Sequence, residues 1–297
     1  MTKDLINLKD LSAKEINDLF SLAFDIKKEK EKFSRTLSGK TLGLLFSKVS
    51  TRTRVSFAVA MHQLGGDTIF LRSEEVQLKR GETLADTAKV LSRYLDGLVI
   101  RTFSQEEVEV LAKESSIPII NGLTDKFHPC QALADYFTLE EKGLNLKKMK
   151  FAYIGDGNNV CHSLLQGAAK LGVEIWVATP EGYEPDRDIL GEAHLTNSPQ
   201  EAAKNADCIY TDVWVSMGQE DSKNLELEKF KSFQINKNLV SLAKNNCVIM
   251  HCLPAHREVE ITSEVLDSSN SIVWDQAENR LHLQKAILLT LLGDNKR

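Results

Sequence analysis

Sequence features that mark several other classes of protein are missing from this chain of 297 residues. No apolar run approaches the roughly 20 residues that a membrane-spanning helix needs, and the longest candidate, 286–292, is far too short. The charged segment that begins at Met1 lacks the apolar core of a signal peptide. The net charge of −5 argues against a basic surface for nucleic acid or for a membrane. We therefore expect neither as a partner.

Cysteine is scarce and shows no metal-binding pattern. The five cysteines form no Cys-x-x-Cys pair, and an odd number does not suit a framework of disulfides. The pattern gives no zinc signature and is typical of the reducing cytoplasm, which is the location we expect. Repeats of solenoid length and low-complexity tracts are also missing.

The remaining pattern is that of an ordinary globular protein of the α/β class. A hydrophobic fraction of 42% and a charged fraction of 27% are average, and the length suggests two domains. Predicted strands alternate with helices, which favours parallel sheets covered on both faces. In the first half the strands are 41–46, 68–71, 97–101 and 118–122, and in the second half 151–154, 175–178, 208–211 and 248–250. The predicted helices are 12–32, 54–64, 83–93, one beginning near Ala132, and 281–292.

The segment Ser50–Arg54 places two arginines at the start of a predicted helix. Ser50 and Thr51 are good N-cap residues, but the positive end of the helix dipole disfavours Arg52 and Arg54. An anionic ligand would resolve this conflict, because backbone N–H groups, hydroxyls and guanidinium groups can share one phosphate. The alternative is a capped helix whose arginines point into solvent.

Polar residues also follow most of the other predicted strands. Open α/β sheets bind ligands at the carboxyl ends of their strands, so these residues are candidates for a site. They are Arg101, His128 and Gln131 in the first half, and Asn158, Asn159, Asp212, Ser216, His251 and Cys252 in the second. Each also has a structural interpretation on its own: a helix cap for His128, a turn cap for Asp212, a core position for Cys252.

Two further segments allow more than one interpretation. Gly155–Val160 is similar to a dinucleotide-binding turn, but Val160 stands in place of the third glycine, and no acidic residue ends the next strand. A small carboxylate suits its two asparagines better than a pyrophosphate does. The polar stretch 216–233 is either a mobile lid or a plain surface loop.

Six segments together resemble the aspartate/ornithine carbamoyltransferase family, and within it the ornithine branch. In the first half these are 50–54 (STRTR), 76–83 (VQLKRGET) and 127–135 (FHPCQALAD). In the second half they are 155–159 (GDGNN), 212–218 (DVWVSMG) and 251–254 (HCLP). Two departures stand out: Ser47, where relatives usually carry a glutamate, and Glu258–Glu260, which replaces a glycine-containing run.

The resemblance implies two doubly wound parallel-sheet domains of similar size, joined by helices. Residues 1–138, with a C-terminal helix 276–297 packing back on them, would bind carbamoyl phosphate, and 139–275 would bind ornithine. The implied reaction transfers the carbamoyl group to the side-chain amine of L-ornithine, giving L-citrulline and phosphate for arginine biosynthesis. It requires no metal and no organic cofactor.

The resemblance also implies roles for individual residues. Those assigned to carbamoyl phosphate are Ser50, Thr51, Arg52, Thr53, Gln77, Arg101, His128, Gln131, Cys252, Leu253 and Arg280. Those assigned to ornithine are Asn159, Asp212, Ser216 and Met217. The expected catalytic groups are Arg52, Arg101, His128, Asp212 and Cys252. The family pattern further implies a homotrimer with active sites near subunit interfaces, in which Gln77 reaches the site of a neighbouring chain.

Two alternatives remain open on the sequence alone. The acceptor could be aspartate or an acylated ornithine. An acylated ornithine has no free α-amine for Asp212 to bind. Aspartate has two carboxylates and would require cations in the second half. The chain could also be a nucleotide-binding protein or dehydrogenase, an interpretation that depends on the incomplete glycine turn.

Overall fold

A computed structural model of the chain describes residues 3–72, 81–214 and 223–293, with side chains left out at 223–226. It divides into two compact units. The first contains residues 1–134 and 279–297, and the second contains residues 135–278. Both divisions fall inside helices, so a continuous helix enters each unit from the other.

The first unit is a four-stranded parallel sheet with helices. Its elements are α1 (Ala13–Lys28), β1 (Thr41–Phe46), α2 (Thr51–Gln63), β2 (Asp67–Arg72), α3 (Leu84–Leu91), β3 (Gly97–Arg101), α4 (Gln105–Glu114), β4 (Ile119–Leu123) and the start of α5 (Pro129–Glu141), with a 3-10 turn at Lys30–Phe33. The strand order is β2-β1-β3-β4, and all neighbours are parallel.

The order of these strands reverses between β1 and β3, which lie side by side although β2 comes between them in sequence. Connections therefore leave β1 and β3 toward opposite edges of the sheet, and a crevice forms where they part. The central strands are buried on both faces, as expected for a parallel sheet between helices. At Gly43 a side chain would collide with Leu95 and Leu98, since an added Cβ would lie 2.6 and 2.8 Å from their Cδ1 atoms.

The second unit repeats this plan with five parallel strands. Its elements are β5 (Lys150–Ile154), α6 (Asn159–Leu171), β6 (Glu174–Ala178), α7 (Arg187–Leu190), β7 (His194–Thr196), α8 (Pro199–Ala203), β8 (Cys208–Thr211), α9 (Lys223–Phe230), α10 (Lys237–Val240), β9 (Val248–His251), α11 (Ser263–Leu266) and the start of α12 (Val273–Leu292), with 3-10 turns at Leu146–Lys148 and Lys231–Phe233. The order is β7-β6-β5-β8-β9, so the switch point lies between β5 and β8.

The predicted two-domain α/β fold is confirmed, and so are all eight predicted strands within one residue at most of their ends. The sequence missed β7, because this strand of three residues on the sheet edge is largely exposed and carries no apolar run. Helix α5 begins at Pro129, earlier than predicted, since proline suits a first helical position. Helix α12 begins at Val273 rather than 281, and α1 stops at Lys28. Among the described residues, no helix is long and apolar enough to cross a membrane.

Candidate functional site

The candidate residues gather at the two switch points, one in each unit. In the first unit, the loop after β1 leads into α2, and Arg101 ends the neighbouring strand β3. The backbone N–H of Ser47 donates to the carbonyl of Arg101 at 2.8 Å, which joins the ends of these two strands. In the second unit, the turn Gly155–Asn158 follows β5, and Asp212 follows the neighbouring β8.

Ser50 caps helix α2 as the sequence predicts. Its hydroxyl accepts from the backbone N–H of Thr53 at 3.2 Å, and the helix begins at Thr51. The two arginines of this turn differ in their surroundings. The guanidinium of Arg54 stacks on the ring of Phe70, 3.6 Å from the centroid, so its position is explained without a ligand. Arg52 is exposed on the first turn, where the helix dipole favours a nearby anion.

Arg280 connects two other candidate residues of the first unit. Its guanidinium donates to the side-chain oxygen of Gln131 and, at 3.2 Å, to the hydroxyl of Thr53. All three side chains are buried. Thr53 and Arg280, 227 residues apart in sequence, are thereby joined in one network with Gln131, so these three of the residues assigned to carbamoyl phosphate by resemblance lie together.

The charges in this part of the first unit are positive and poorly hydrated. Burial, and then the nearby charges of Arg280 and Arg52, lower the pKa of Arg101 from 12.5 to about 10. Burial, followed by the charges of Arg280, Arg101 and Arg52, lowers the pKa of His128 well below 6.5. The Nε atom of Arg101 is buried without a hydrogen-bond partner within the described part of the chain. Such a cluster is suited to an anion, because a bound anion would offset both costs.

In the second unit, Asp212 accepts three hydrogen bonds. The thiol of Cys252 donates to its Oδ1 at 2.8 Å, as does the backbone N–H of Val213, and the side-chain amide of Asn158 donates to its Oδ2 at 2.9 Å. Asn158 also caps helix α6, because its Oδ1 accepts from the N–H groups of Val160 and Cys161. The same residue therefore fixes the helix start, and with it Asn159, relative to the carboxylate.

Cys252 is in the thiol form at neutral pH. Burial, and next the adjacent Asp212 carboxylate, raise the pKa of Cys252 well above 9.0. A protonated thiol is a hydrogen-bond donor and a poor nucleophile. The geometry therefore favours a role for Cys252 in orienting groups at Asp212 and not in forming a covalent intermediate.

His251 shapes the backbone beside Cys252. Its Nδ1 accepts from the backbone N–H of Leu253 at 2.9 Å, and this fixes the proton on Nε2, which lies 3.0 Å from a carboxylate oxygen of the buried Glu260. Leu253 has a positive φ of 58° and precedes a cis proline bond. The donor atoms of Asp212, His251 and Cys252 lie within 4.8 Å of one another, as in metal sites. Both ring nitrogens of His251 already have protein partners, however, so the cluster is poorly suited to hold a metal ion.

The glycine turn after β5 serves packing within the protein. A Cβ added at Gly157 would lie 2.3 Å from the backbone nitrogen of Pro185 and 2.6 Å from the carbonyl oxygen of Tyr183. The close approach that a dinucleotide fingerprint reserves for a pyrophosphate is taken here by the chain's own backbone. This observation removes the structural basis of the nucleotide-binding alternative.

Three of the predicted site residues, Gln77, Ser216 and Met217, lie outside the described residues, as does the first part of the predicted lid, 216–222. Conversely, Asn158 was a candidate on its position alone and not as a partner of Asp212, Glu260 had no predicted role, and Lys48 had no predicted partner. Asn158 had a usable signal, an asparagine just before a helix. Glu260 had none, because its histidine partner is nine residues away along an irregular loop.

The departure at Glu258 has a structural explanation. Glu258 adopts a positive φ of 66°, a conformation that glycine favours, so a glycine at this position would meet no strain. Its carboxylate accepts from the backbone N–H of Ser263 at 2.8 Å, which compensates in part for the conformational cost.

Comparisons with known proteins agree over nearly the whole length. The carbamoyl-P binding domain of aspartate/ornithine carbamoyltransferase matches residues 3–141, and the Asp/Orn binding domain matches residues 147–291. An ornithine carbamoyltransferase of Bacillus thuringiensis subsp. konkukian is 54% identical, covering 98% of this chain and 94% of its own length. An anabolic ornithine carbamoyltransferase of Pyrococcus furiosus is 51% identical, covering 99% and 98%. The solved structure of the Pyrococcus furiosus ornithine carbamoyltransferase superposes with a TM-score of 0.94 at 51% identity, covering 99% of this chain and 98% of that one.

Proposed function

This chain belongs to the aspartate/ornithine carbamoyltransferase family, and we propose that it transfers the carbamoyl group of carbamoyl phosphate to the side-chain amine of L-ornithine, giving L-citrulline and phosphate. The observation that carries the proposal is that one unit holds a cluster of cations suited to an anion, and the other unit holds a carboxylate–thiol pair. The first suits the phosphorylated donor, and the second suits an amine. The anabolic relative supports a place in arginine biosynthesis.

In the first unit, we assign the phosphate to the N-terminus of α2. The hydroxyls of Ser50 and Thr51 and the guanidinium of Arg52 would bind its oxygens there, together with Thr53 and the free N–H groups of the first turn. Arg280 holds Thr53 and Gln131 in place and contributes its own charge. The side-chain oxygen of Gln131 would accept from the carbamoyl nitrogen, since an amide oxygen can accept two hydrogen bonds.

Arg101 and His128 would act on the carbonyl oxygen of the carbamoyl group. Attack by the amine places negative charge on this oxygen in the tetrahedral transition state, and fixed donors stabilise that charge. A lowered pKa keeps His128 neutral at pH 7. It therefore acts as a hydrogen-bond donor like the neutral histidine of other electrophilic sites, while Arg101 supplies the positive charge.

In the second unit, we assign ornithine to Asp212 and its neighbours. Asn159 at the start of α6 would bind the α-carboxylate, with the backbone of Met217, and Asp212 would bind an amine, with Ser216. The side-chain ammonium of ornithine must first lose one proton to solvent, because an ammonium has no lone pair. Asp212 and the Cys252 thiol would orient the neutral amine as its nitrogen bonds to the carbamoyl carbon. When the carbon–oxygen bond to phosphate breaks, the leaving phosphate would take the second proton from that nitrogen. The backbone of Cys252 and Leu253 would contact the donor.

No step in this scheme needs a metal or an organic cofactor. The donor is already activated by its phosphate, so positioning and electrostatics supply the catalysis. We keep the boundaries 1–138 with 276–297 for the donor domain and 139–275 for the acceptor domain as part of the proposal. The five free cysteines support the cytoplasmic location.

We further propose a homotrimer with active sites near its subunit interfaces. Among the described residues, six of the nine exposed large hydrophobic side chains belong to the first unit, among them Val49 at 82% and Tyr94 at 73% exposure. Where such side chains form one contiguous patch, they are typical of an interface. Light scattering tests the mass. Refolding a mixture of inactive Arg52→Ala and Gln77→Ala chains tests the shared site: partial return of activity supports it, and mixed trimers as inactive as the parents contradict it.

An acceptor panel tests the reaction directly. The purified protein is incubated with carbamoyl phosphate and ornithine, acetylornithine, aspartate or putrescine, and the ureido product is measured. We expect efficient product formation with ornithine and at least about 100-fold less with the others. Acetylornithine lacks the free α-amine, putrescine lacks the carboxylate, and aspartate adds a second carboxylate that has no partner in the site. Preference for acetylornithine or aspartate would replace the proposal with the corresponding alternative acceptor.

A further inference from the structure

Lys48 is a cation with a largely buried side chain, and the sequence alone does not identify its partner. In the structure its ammonium group pairs with the carboxylate of Asp125 and lies 4.4 Å from the centroid of the Phe103 ring. The Lys48 side chain is only 9% exposed, whereas that of Asp125 is 62% exposed. A lysine buried to this extent normally has a specific partner, because its charge is costly to desolvate.

The three residues belong to three different loops, each of which follows the carboxyl end of a strand in the first sheet. Lys48 follows β1, Phe103 follows β3, and Asp125 follows β4. Backbone hydrogen bonds join the same loops: Ser47 donates to Arg101 at 2.8 Å, and Asp125 donates to Phe103 at 2.9 Å. Lys48 is therefore the side chain that links the first loop to the other two.

Each of these loops carries part of the proposed donor site. The loop after β1 leads to the anion-binding turn of α2 at Ser50, β3 ends at Arg101, and the loop after β4 leads to His128. Electrostatic stabilisation of a transition state depends on donors fixed to within fractions of an ångström. A contact that fixes the separation of the three loops therefore fixes the relative positions of the phosphate and carbonyl donors.

We propose that Lys48 is a positioning residue for carbamoyl phosphate, which acts through Asp125 and Phe103 and not by contact with the ligand. This inference depends on the proposed function. Because the Asp125 carboxylate neutralises the ammonium group locally, the contribution of Lys48 to the anion site is geometric. Lys48 and Asp125 then form one unit, and removing either partner should have the effect of removing both.

A double-mutant cycle tests this inference. Lys48→Met keeps the aliphatic stem, Asp125→Asn keeps the shape of the acid, and Lys48→Arg keeps the cation. For each variant, and for the double variant, we would measure carbamoyl phosphate affinity by calorimetry, kcat, the KM for ornithine and the thermal midpoint. We expect Lys48→Met to weaken carbamoyl phosphate binding about 10-fold and to lower kcat, with the KM for ornithine unchanged within twofold. Asp125→Asn should act in the same direction, the double variant should be no worse than Lys48→Met, and Lys48→Arg should retain most activity.

Lys40→Met is the matched control. Lys40 pairs with Asp96 at 3.2 Å at the opposite end of β1, away from the proposed site. Its loss should affect the thermal midpoint about as much as Lys48→Met does, but leave affinity and kcat unchanged. If Lys48→Met lowered carbamoyl phosphate affinity by the same factor in the wild-type protein and in Asp125→Asn, Lys48 would act by direct contact with the ligand, and the inference would be overturned. Unchanged affinity and kcat in Lys48→Met would overturn it as well. A wild-type protein that makes no citrulline would instead refute the proposed function itself.

Discussion

Replacing Arg101 with methionine should stabilise the ligand-free protein and, at the same time, abolish tight binding of carbamoyl phosphate. Arg101 is 8% exposed at the end of β3 and shares its surroundings with Arg280 and Arg52. Its charge is unfavourable in the free protein and useful only when an anion is present. Methionine keeps most of the apolar stem and removes the charge.

The lowered pKa gives the magnitude. A decrease from 12.5 to about 10 corresponds to roughly 3 kcal/mol of destabilisation of the charged form in the folded protein. The substitution also removes some packing and the hydration of the guanidinium group, which offsets part of this gain. We therefore expect the free energy of unfolding to rise by about 1–3 kcal/mol. The folded-state pKa is below the unfolded one, and the arginine is protonated in both states at neutral pH. The penalty is therefore fully present below pH 10 and declines as pH rises through the range from about 10 to 12.5.

Binding should change in the opposite direction. Loss of a charged, desolvated contact costs about 2–5 kcal/mol, which is at least about 30-fold in the dissociation constant of carbamoyl phosphate. Urea unfolding at one protein concentration and calorimetric titration measure the two effects. Arg93→Met, an exposed arginine of the same unit, is the control and should be neutral within about 0.5 kcal/mol. A destabilised Arg101→Met protein that still binds carbamoyl phosphate normally would refute the reasoning and make Arg101 a structural residue.

Three further outcomes follow from the same site. Cys252 should react slowly with iodoacetamide at pH 7–9, because burial raises the pKa of its thiol. Asp212→Asn should accelerate the reaction, because it removes the carboxylate charge that raises this pKa further. Fast alkylation of the wild-type thiol would contradict the role of Cys252 as a protonated hydrogen-bond donor. His128, assigned in NMR spectra with His128→Gln, should show no protonation near pH 6.5 in the ligand-free protein, and a normal titration would contradict its neutral role. Gly157→Ala should lower stability by about 1–3 kcal/mol or more in thermal melts, since its Cβ would overlap Pro185; a neutral substitution would mean that the two backbones separate easily.

Much of the fold could be predicted because its signals are local. Most strands are short apolar runs between polar segments, the central ones are buried on both faces, and each switch-point helix begins with a capping residue such as Ser50 or Asn158. Edge strand β7 was missed because its three residues carry no apolar run, whereas edge strand β2, which is also partly exposed, contains the apolar residues Ile69, Phe70 and Leu71.

The contacts that organise the site were not predictable in the same way. Arg280 meets Thr53 and Gln131, and Lys48 meets Asp125, through pairings that only the tertiary fold creates. No periodicity or spacing encodes such pairs, because the partners lie on different elements far apart in the chain. Resemblance could name Arg280 as a site residue, but it could not identify the side chains that hold it.

The central claim is that the first unit binds the donor and the second unit handles the acceptor, and Asp212→Asn tests it most directly. Carbamoyl phosphate affinity is measured by calorimetry, and citrulline formation is measured on the same preparation. We predict donor affinity within twofold of wild type and citrulline formation slower by at least about 100-fold, about 3 kcal/mol, because only the acceptor contacts are lost. Near-normal citrulline formation, or loss of donor binding together with activity, would contradict this division of roles.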